Sequence, residues 1–185
     1  GKSIALKTVG LIQCMLQCGI PVPLDPGSEV AFVDGLLGDI GDSQSIENEL
    51  STYSSRLEKM KVFLERADAN ALLLIDEFGS GTDPDLGSAL AEEVLERLHG
   101  LQVRGVITTH YNRIKSLASQ LDGAFNGNMA FDQKHFRPEY RLETGTPGSS
   151  YTFEVARRAG LFEELIRKAK RRLSKDKVRL DGLLS

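Results

Sequence analysis

Asn70-Ala71-Leu72-Leu73-Leu74-Ile75-Asp76-Glu77 sets an unbroken apolar run directly in front of two carboxylates. Side chains alternate faces along a strand, so a run in which every residue is apolar describes a strand buried on both faces, as in a parallel sheet covered by helices. The run predicts an α/β domain with this strand inside it and Asp76 and Glu77 at the C-terminal edge of the sheet. Open α/β sheets bind ligands at that edge. The bland alternative is an acidic pair that merely ends a strand, and the rest of the chain has to decide.

The chain opens on Gly1-Lys2-Ser3, which reads as the tail of a phosphate-binding loop, Gly-x-x-x-x-Gly-Lys-[Ser/Thr]. In such a loop backbone N–H groups cradle phosphates, the Lys reaches the β/γ-phosphates and the hydroxyl binds Mg²⁺. Because the chain starts inside the motif, further sequence is expected upstream. By itself Gly-Lys-Ser is a common tripeptide. Behind it, Ile4, Leu6, Val9, Leu11, Ile12 and Met15 predict a mostly buried helix whose positive N-terminal end points at the phosphates. Nucleotide-bound Mg²⁺ also needs a hard oxygen ligand, direct or through water, which Asp76 can supply. Glu77 can then orient or deprotonate the attacking water.

At 185 residues with 41% hydrophobic content, the chain is of a size to bury one core. It carries no run long enough to span a bilayer. A net charge of −3 makes no global case for nucleic-acid binding, so such contacts would need a local patch or other segments. Cys14 and Cys18 read as small buried apolar residues in a reducing compartment, with the cytoplasm as the default location. Ile20 to Gly27 holds three prolines and must be loop. Glu29 to Val33 reads as a short strand with Asp34-Gly35 as a candidate hairpin turn, and the glycine-rich Leu36 to Asp42, with its acids Asp39 and Asp42, as either a solvated turn or a segment near the nucleotide.

An amphipathic helix follows up to Arg66, with Leu50, Tyr53, Leu57, Met60 and Leu64 along one stripe. Its start is expected among the hydroxyl residues from Leu50 to Ser55, either as simple caps or with Ser51 on a phosphate. After the acids, Phe78 to Pro84 reads as a tight loop, with Asp83 as N-cap and Pro84 at the first position of a helix striped by Leu86, Leu90, Val94 and Leu98 and ending near His99-Gly100. Val103 to Thr109 predicts a second buried strand, bringing His110 to the same edge as Asp76, within reach of a γ-phosphate; a structural histidine is the alternative. Ala124 to Asp132 and Glu139 to Glu143 read as two strands around a polar turn. A short helix capped by Ser150 or Thr152 and ending at Gly160 comes next. A last helix, striped by Phe162, Leu165, Ile166, Ala169 and Leu173, carries Arg167, Lys168, Lys170, Arg171, Arg172, Lys175, Lys177 and Arg179 on its other face, and its pattern fades past Asp176.

Taken together, these residues resemble the ATPase domain of the MutS family, a branch of the ABC-type ATPases, over nearly the whole chain. The resemblance rests on Gly1-Lys2-Ser3, Leu6-Lys7-Thr8-Val9-Gly10-Leu11, Asp39-Ile40-Gly41-Asp42 running into Leu50-Ser51-Thr52-Tyr53-Ser54, Leu74 to Pro84, Thr108-Thr109-His110-Tyr111, Tyr140-Arg141-Leu142 and Phe153 to Arg158. Ser43-Gln44-Ser45-Ile46-Glu47 and Gly145-Thr146-Pro147-Gly148 favour the second bacterial branch of the family, the recombination-suppressing one, over the mismatch-repair proteins proper.

The resemblance implies a P-loop NTPase of ABC type: a mostly parallel sheet flanked by helices over residues 1–160, then a basic helix over 161–185 leading towards a stalk. It implies ATP and Mg²⁺ as cofactors. Gly1, Lys2, Ser3 and Ile4 would bind nucleotide, Ser3 and Asp76 would serve the metal, and Glu77 and His110 would be the catalytic pair handling the water and sensing the γ-phosphate. Ser51 and Thr52 would act in trans on the nucleotide of a second subunit, with Ser80, Gly81, Thr82 and Asp83 at the interface of a homodimer. The coupled partner would be branched or mismatched DNA, or alternatively a collided ribosome, through segments outside this chain. A nucleotide-binding dimerisation module with negligible turnover is the second alternative, and a transport ATPase is disfavoured for want of a membrane segment.

Overall fold

The computed structural model describes residues 1–41, 49–132, 134–145 and 152–181, without the side chains of 49–52 and 174–181. In chain order the elements are α1 (Lys2–Gln17), β1 (Gly35–Asp39), α2 (Glu49–Arg66), β2 (Ala71–Ile75), α3 (Pro84–Gly100), β3 (Arg104–Ile107), α4 (Asn112–Ala118), β4 (Gly127–Asp132), β5 (Arg137–Thr144), α5 (Thr152–Arg158) and α6 (Glu163–Asp181). Two compact units divide them, Gly1–Pro147 and Gly148–Ser185.

In the first unit the apolar run becomes β2, the middle strand of a parallel sheet ordered β1-β2-β3. Leu73 and Ile75 face a core made with Met60 and Phe63 of α2, Ala91 and Leu98 of α3, Ile114 of α4 and Phe78. Leu74, 1% exposed, faces the opposite layer, where α1 comes so close that a Cβ on Gly10 would lie 2.9 Å from its Cδ1. Helices on both faces are what an all-apolar strand requires. Each fully buried Leu or Ile contributes roughly 1.5–3 kcal/mol, so β2 is the strand around which the others assemble. A second, antiparallel pair, β4 and β5, forms the predicted hairpin. Its turn is held by Asp132, whose carboxylate accepts from the N–H groups of Lys134 and His135 and pairs with His135 Nδ1 at 2.6 Å.

Several expectations are corrected. Glu29 to Val33 is not a strand: the carbonyls of Ala31 and Val33 accept from Gln13 Nε2 and Gln17 Nε2 of α1, both at 3.0 Å, in place of a ladder. The strand lies two residues on, at β1, beginning at Gly35 of the expected hairpin turn and running through the glycine-rich stretch to Asp39, and its parallel register with β2 runs from Gly35 opposite Ala71 to Asp39 opposite Ile75. β3 pairs only with β2 among the described strands, so Arg104, Gly105 and Val106 are exposed edge positions and not buried ones. Helix α1 buries only the Leu6, Gly10 and Gln13 face, leaving Ile4, Leu11 and both cysteines exposed, the cysteines as free thiols.

The α3 start is as predicted. Asp83 accepts from the N–H groups of Asp85 and Leu86 at 3.0 and 3.1 Å, with Pro84 in the first turn. Its buried stripe differs, because Gly87, Ser88, Ala91 and Leu98 face the core while Leu86 is 71% exposed.

In the second unit, α5 closes on Gly160 at φ +85°, and Arg157 holds Glu163 through two bonds of 2.8 and 2.9 Å. Helix α6 continues to Asp181, past the predicted fading of its pattern; Ile166 is buried, and Arg167, Lys168 and Arg172 are exposed. The proposed Ser150 cap and Thr146 to Gly148 lie outside the described residues. Among the described residues no helix is long and apolar enough to cross a membrane.

Gly87 joins the fold to its upper edge, because a Cβ there would meet the Gly79 carbonyl oxygen at 2.5 Å and Thr82 Cγ2 at 2.8 Å. Helix propensity favours Ala over Gly by up to about 1 kcal/mol, but a backbone oxygen cannot yield as a side-chain end can. Gly87→Ala is therefore expected to lose about 1–3 kcal/mol, the cost of overpacking, read as a lower midpoint in denaturant unfolding. Stability equal to or above that of the parent would show that the loop beside Gly87 yields freely.

Candidate functional site

The parallel register carries β2 and β3 to the same edge, and backbone bonds continue the ladder beyond them. Thr108 N–H donates to Ile75 O at 2.9 Å, Asp76 N–H to Asp39 O at 2.9 Å, and Phe78 N–H to Thr108 O at 2.8 Å. These bonds fix Asp76, Glu77 and Thr108 as neighbours. The Thr108 hydroxyl donates to the Asp76 carboxylate and accepts the Glu77 N–H at 2.9 Å. The Ser3 hydroxyl, from the first turn of α1, lies close enough to the Asp76 carboxylate to help lower its pKa.

Asp76 is buried at 9% exposure. Burial pushes its carboxyl upward, yet the bonds from Thr108, from Ser3 and from the Glu77 N–H, with the Lys7 charge, outweigh burial and hold it below the usual carboxylate range. The site thus keeps an anion ready at neutral pH. Lys2 moves down from the ordinary lysine value: partial burial and the Lys115 ammonium lower it, and Asp76 and Glu77 offset them only in part. Its Nζ lies 3.5 Å from His110 Nδ1. Lys2, Lys7, Lys115 and His110 therefore surround two acids with cations and donors, a field suited to a polyanion.

Glu77 is exposed and holds a left-handed backbone, φ +52°. That conformation costs a residue with a side chain on the order of 1–3 kcal/mol and persists where neighbours fix it. Here the Thr108 hydroxyl takes its N–H, while its carbonyl accepts from Ser80 N–H at 3.1 Å and from Arg56 at 3.3 Å.

Of the residues expected at a site, the fold unites Lys2, Ser3, Asp76, Glu77 and His110. Gly1 sits beside them against Met129 of β4. Ile4 faces away, 57% exposed. In the following loop Ser80 bonds Arg56, Gly81 at φ +98° lies beside Tyr53, Thr82 is half-buried, and Asp83 is consumed as the α3 cap. Ser51 and Thr52 fall in the first turn of α2, their side chains outside the description, as are all atoms of Asp42 to Asn48. Three partners were missed: Thr108, Arg56, and the pair of Lys59 with Asp39 at 2.5 Å. A hydroxyl immediately after an apolar strand, level with the acid pair of the preceding strand, is the signal that identifies Thr108. Among the described residues no three His, Cys, Asp or Glu side chains converge as a metal cage.

Asp76 being held low has a definite pH sign. A carboxyl depressed in the folded state adds stability that is fully present above the unfolded carboxyl's titration range and fades as pH falls through the folded value. Thr108→Val removes one of the donors while leaving the burial, so the Asp76 carboxyl is expected to titrate at higher pH by carbon-detected NMR, with less stability to lose on acidification. An unmoved titration would deny Thr108 its part in holding the anion.

A family profile described as MutS domain V matches residues 1–176. Among curated relatives, an Endonuclease MutS2 of Halothermothrix orenii is 43% identical over 185 residues, covering 100% of this chain and 23% of the relative. One from Thermomicrobium roseum is 44% identical over 185 residues with the same coverage, and one from Streptococcus gordonii is 44% identical over 176 residues, 95% of this chain and 23% of the relative. The chain therefore spans about a quarter of the length of these relatives. With the profile running from Gly1 to Asp176, over the elements that build the Lys2–Asp76–Thr108 cluster, the chain belongs to the MutS family as its domain V.

Proposed function

We propose that this chain is the ATP-hydrolysing P-loop domain of a MutS-type protein, and that two copies close over two nucleotides. The observation that carries the reading is the convergence of Lys2, its Nζ 3.5 Å from His110 Nδ1, with Asp76, Glu77 and the nearby Ser3 at one sheet edge. A hydroxyl and a carboxylate held below the usual carboxylate range, both hard oxygens, suit Mg²⁺, which takes few protein ligands and fills its shell with water and phosphate. Ser3 and Asp76 would hold it, and it would neutralise charge on the β- and γ-phosphates. Lys2 would bind those phosphates, Glu77 would accept the proton of the attacking water, and His110 would hydrogen-bond the γ-phosphate.

Support for action in trans comes from α2. Lys59 ties this helix to Asp39 and Arg56 ties it to Ser80, so its first turn is not free to fold over its own Lys2. A second copy, related by two-fold symmetry, can bring Ser51 and Thr52 there instead, with the loop from Ser80 to Asp83 at the interface. ATP would then favour closure and hydrolysis would relax it. In the whole protein this cycle would work on DNA, a context supported by the name Endonuclease MutS2 borne by the relatives.

The test uses the full-length protein. Turnover per molecule should rise with protein concentration, and Ser51→Arg should abolish that rise while the monomer still binds nucleotide. Lys2→Ala should weaken nucleotide binding by about tenfold or more, the scale of losing a charged contact to phosphate. Activity per molecule that stays flat on dilution, in a species shown monomeric by sedimentation, would sink the trans arrangement. Tight binding with no turnover at any concentration would leave a dimerisation module in place of an enzyme.

A further inference from the structure

Arg56 lies about two turns into α2, with apolar neighbours around it: Tyr53 and Met60 on its own helix and Phe78, Leu90 and Val94 beyond, lining a cavity of about 40 Å³. Such a space holds a water molecule or so and no ligand. The guanidinium finds its acceptors in the acid-bearing loop. One terminal nitrogen donates to the Ser80 hydroxyl, to Ser80 O at 3.4 Å and to Glu77 O at 3.3 Å. Its Nε is buried with no hydrogen-bond partner.

An orphaned buried donor costs about 1–3 kcal/mol, and a solvated rotamer would avoid it. The loop bonds must outweigh that cost for the guanidinium to stay. What they fix is informative, because Glu77 is the residue in the left-handed region. The Thr108 hydroxyl clamps its N–H end, and Arg56 joins Ser80 N–H in clamping its carbonyl end. The two clamps come from opposite sides, β3 and α2. One side is the sheet edge that fixes Asp76; the other is the helix whose first turn would meet the second copy's nucleotide.

We propose that Arg56 is a positioning residue: it holds the Glu77 backbone in its left-handed conformation and transmits the seating of α2 to the Glu77 carboxylate. This rests on the reading of Glu77 as the residue that handles the attacking water. The link gives a physical route between the two nucleotides of a dimer. Seating of α2 against one nucleotide is felt through Arg56 at the acid serving the other.

The experiment compares Arg56→Met, Arg56→Lys and parent in the full-length protein by three readouts: amide hydrogen exchange of residues 77–82, equilibrium affinity for a fluorescent ATP analogue without Mg²⁺, and kcat with KM. Arg56→Met should speed exchange in the loop by about tenfold or more, the mark of a local opening made easier. Its kcat should fall by about tenfold or more while affinity stays within about threefold, the pattern of a lost transition-state arrangement. Arg56→Lys, a shorter-reaching cation that can still donate to Ser80, should recover part of both. Unchanged exchange in Arg56→Met would overturn the tether, and faster exchange with unchanged kcat would overturn the positioning role. A parent protein with no turnover would instead contradict ATP hydrolysis itself, and the exchange readout would then decide the tether alone. Should Arg56→Met melt far below the parent, Arg56→Lys carries the comparison: faster loop exchange with lower kcat supports the proposal, and exchange and kcat both at parent levels overturn it.

Discussion

Asp76 is an ionised carboxylate at the end of a strand that is otherwise apolar, and the fold is arranged so that this charge can be buried. An unpaired buried carboxylate protonates or unfolds its surroundings. Asp76 does neither because the Thr108 hydroxyl beyond β3 donates to it, while Ser3 at the head of α1, the adjacent Glu77 N–H and the Lys7 charge also favour its anion. Each hydrogen bond to a charged group is worth roughly 1.5–3 kcal/mol. The Thr108 bond therefore satisfies the acid and fastens the strand edge beside it.

From that fastening the rest follows in steps. With the head of α1 beside Asp76, Lys2 reaches the acids and His110. Thr108, shared between the Asp76 carboxylate and the Glu77 N–H, turns the chain so that Glu77 leaves the strand in a conformation few residues adopt. The loop then runs by way of Ser80 to Asp83 into the capped start of α3, while Arg56 and Lys59 of α2 reach the same edge from the other side. Membership in the MutS family agrees with this arrangement, but the chemistry is argued from the residues themselves.

The sequence was legible where a local pattern had one physical meaning. An all-apolar strand has to be covered twice, and Asp83-Pro84 has to start a helix, so β2 and α3 stand where they were expected. It was illegible where a pattern was set by distant partners. Glu29 to Val33 alternates like a strand, whereas the glycine-containing β1 has no strand signature of its own and exists because β2 offers it a ladder. Likewise Val103, Val106 and Ile107 suggested a buried strand, whereas β3 lies at the edge of the sheet among the described strands and is exposed there. On α1 both faces are apolar, so periodicity could not tell Leu6, which is buried, from Leu11, which is not. For the site, Lys2, Asp76, Glu77 and His110 were visible as residue types at strand and helix ends. Arg56 was hidden, because a cation on an amphipathic helix looks the same whether water or a loop carbonyl receives it.

The central claim is that the cluster around Asp76 hydrolyses ATP with Glu77 as the acceptor of the water's proton, and single-turnover hydrolysis by Glu77→Gln in the full-length protein addresses it most directly. Gln keeps the shape and the backbone but cannot take the proton. The account predicts ATP affinity within a few-fold of the parent and a single-turnover rate lower by about 10²-fold, the scale of a lost positioned base. A Glu77→Gln protein that binds ATP and cleaves it at the parent rate would contradict the account.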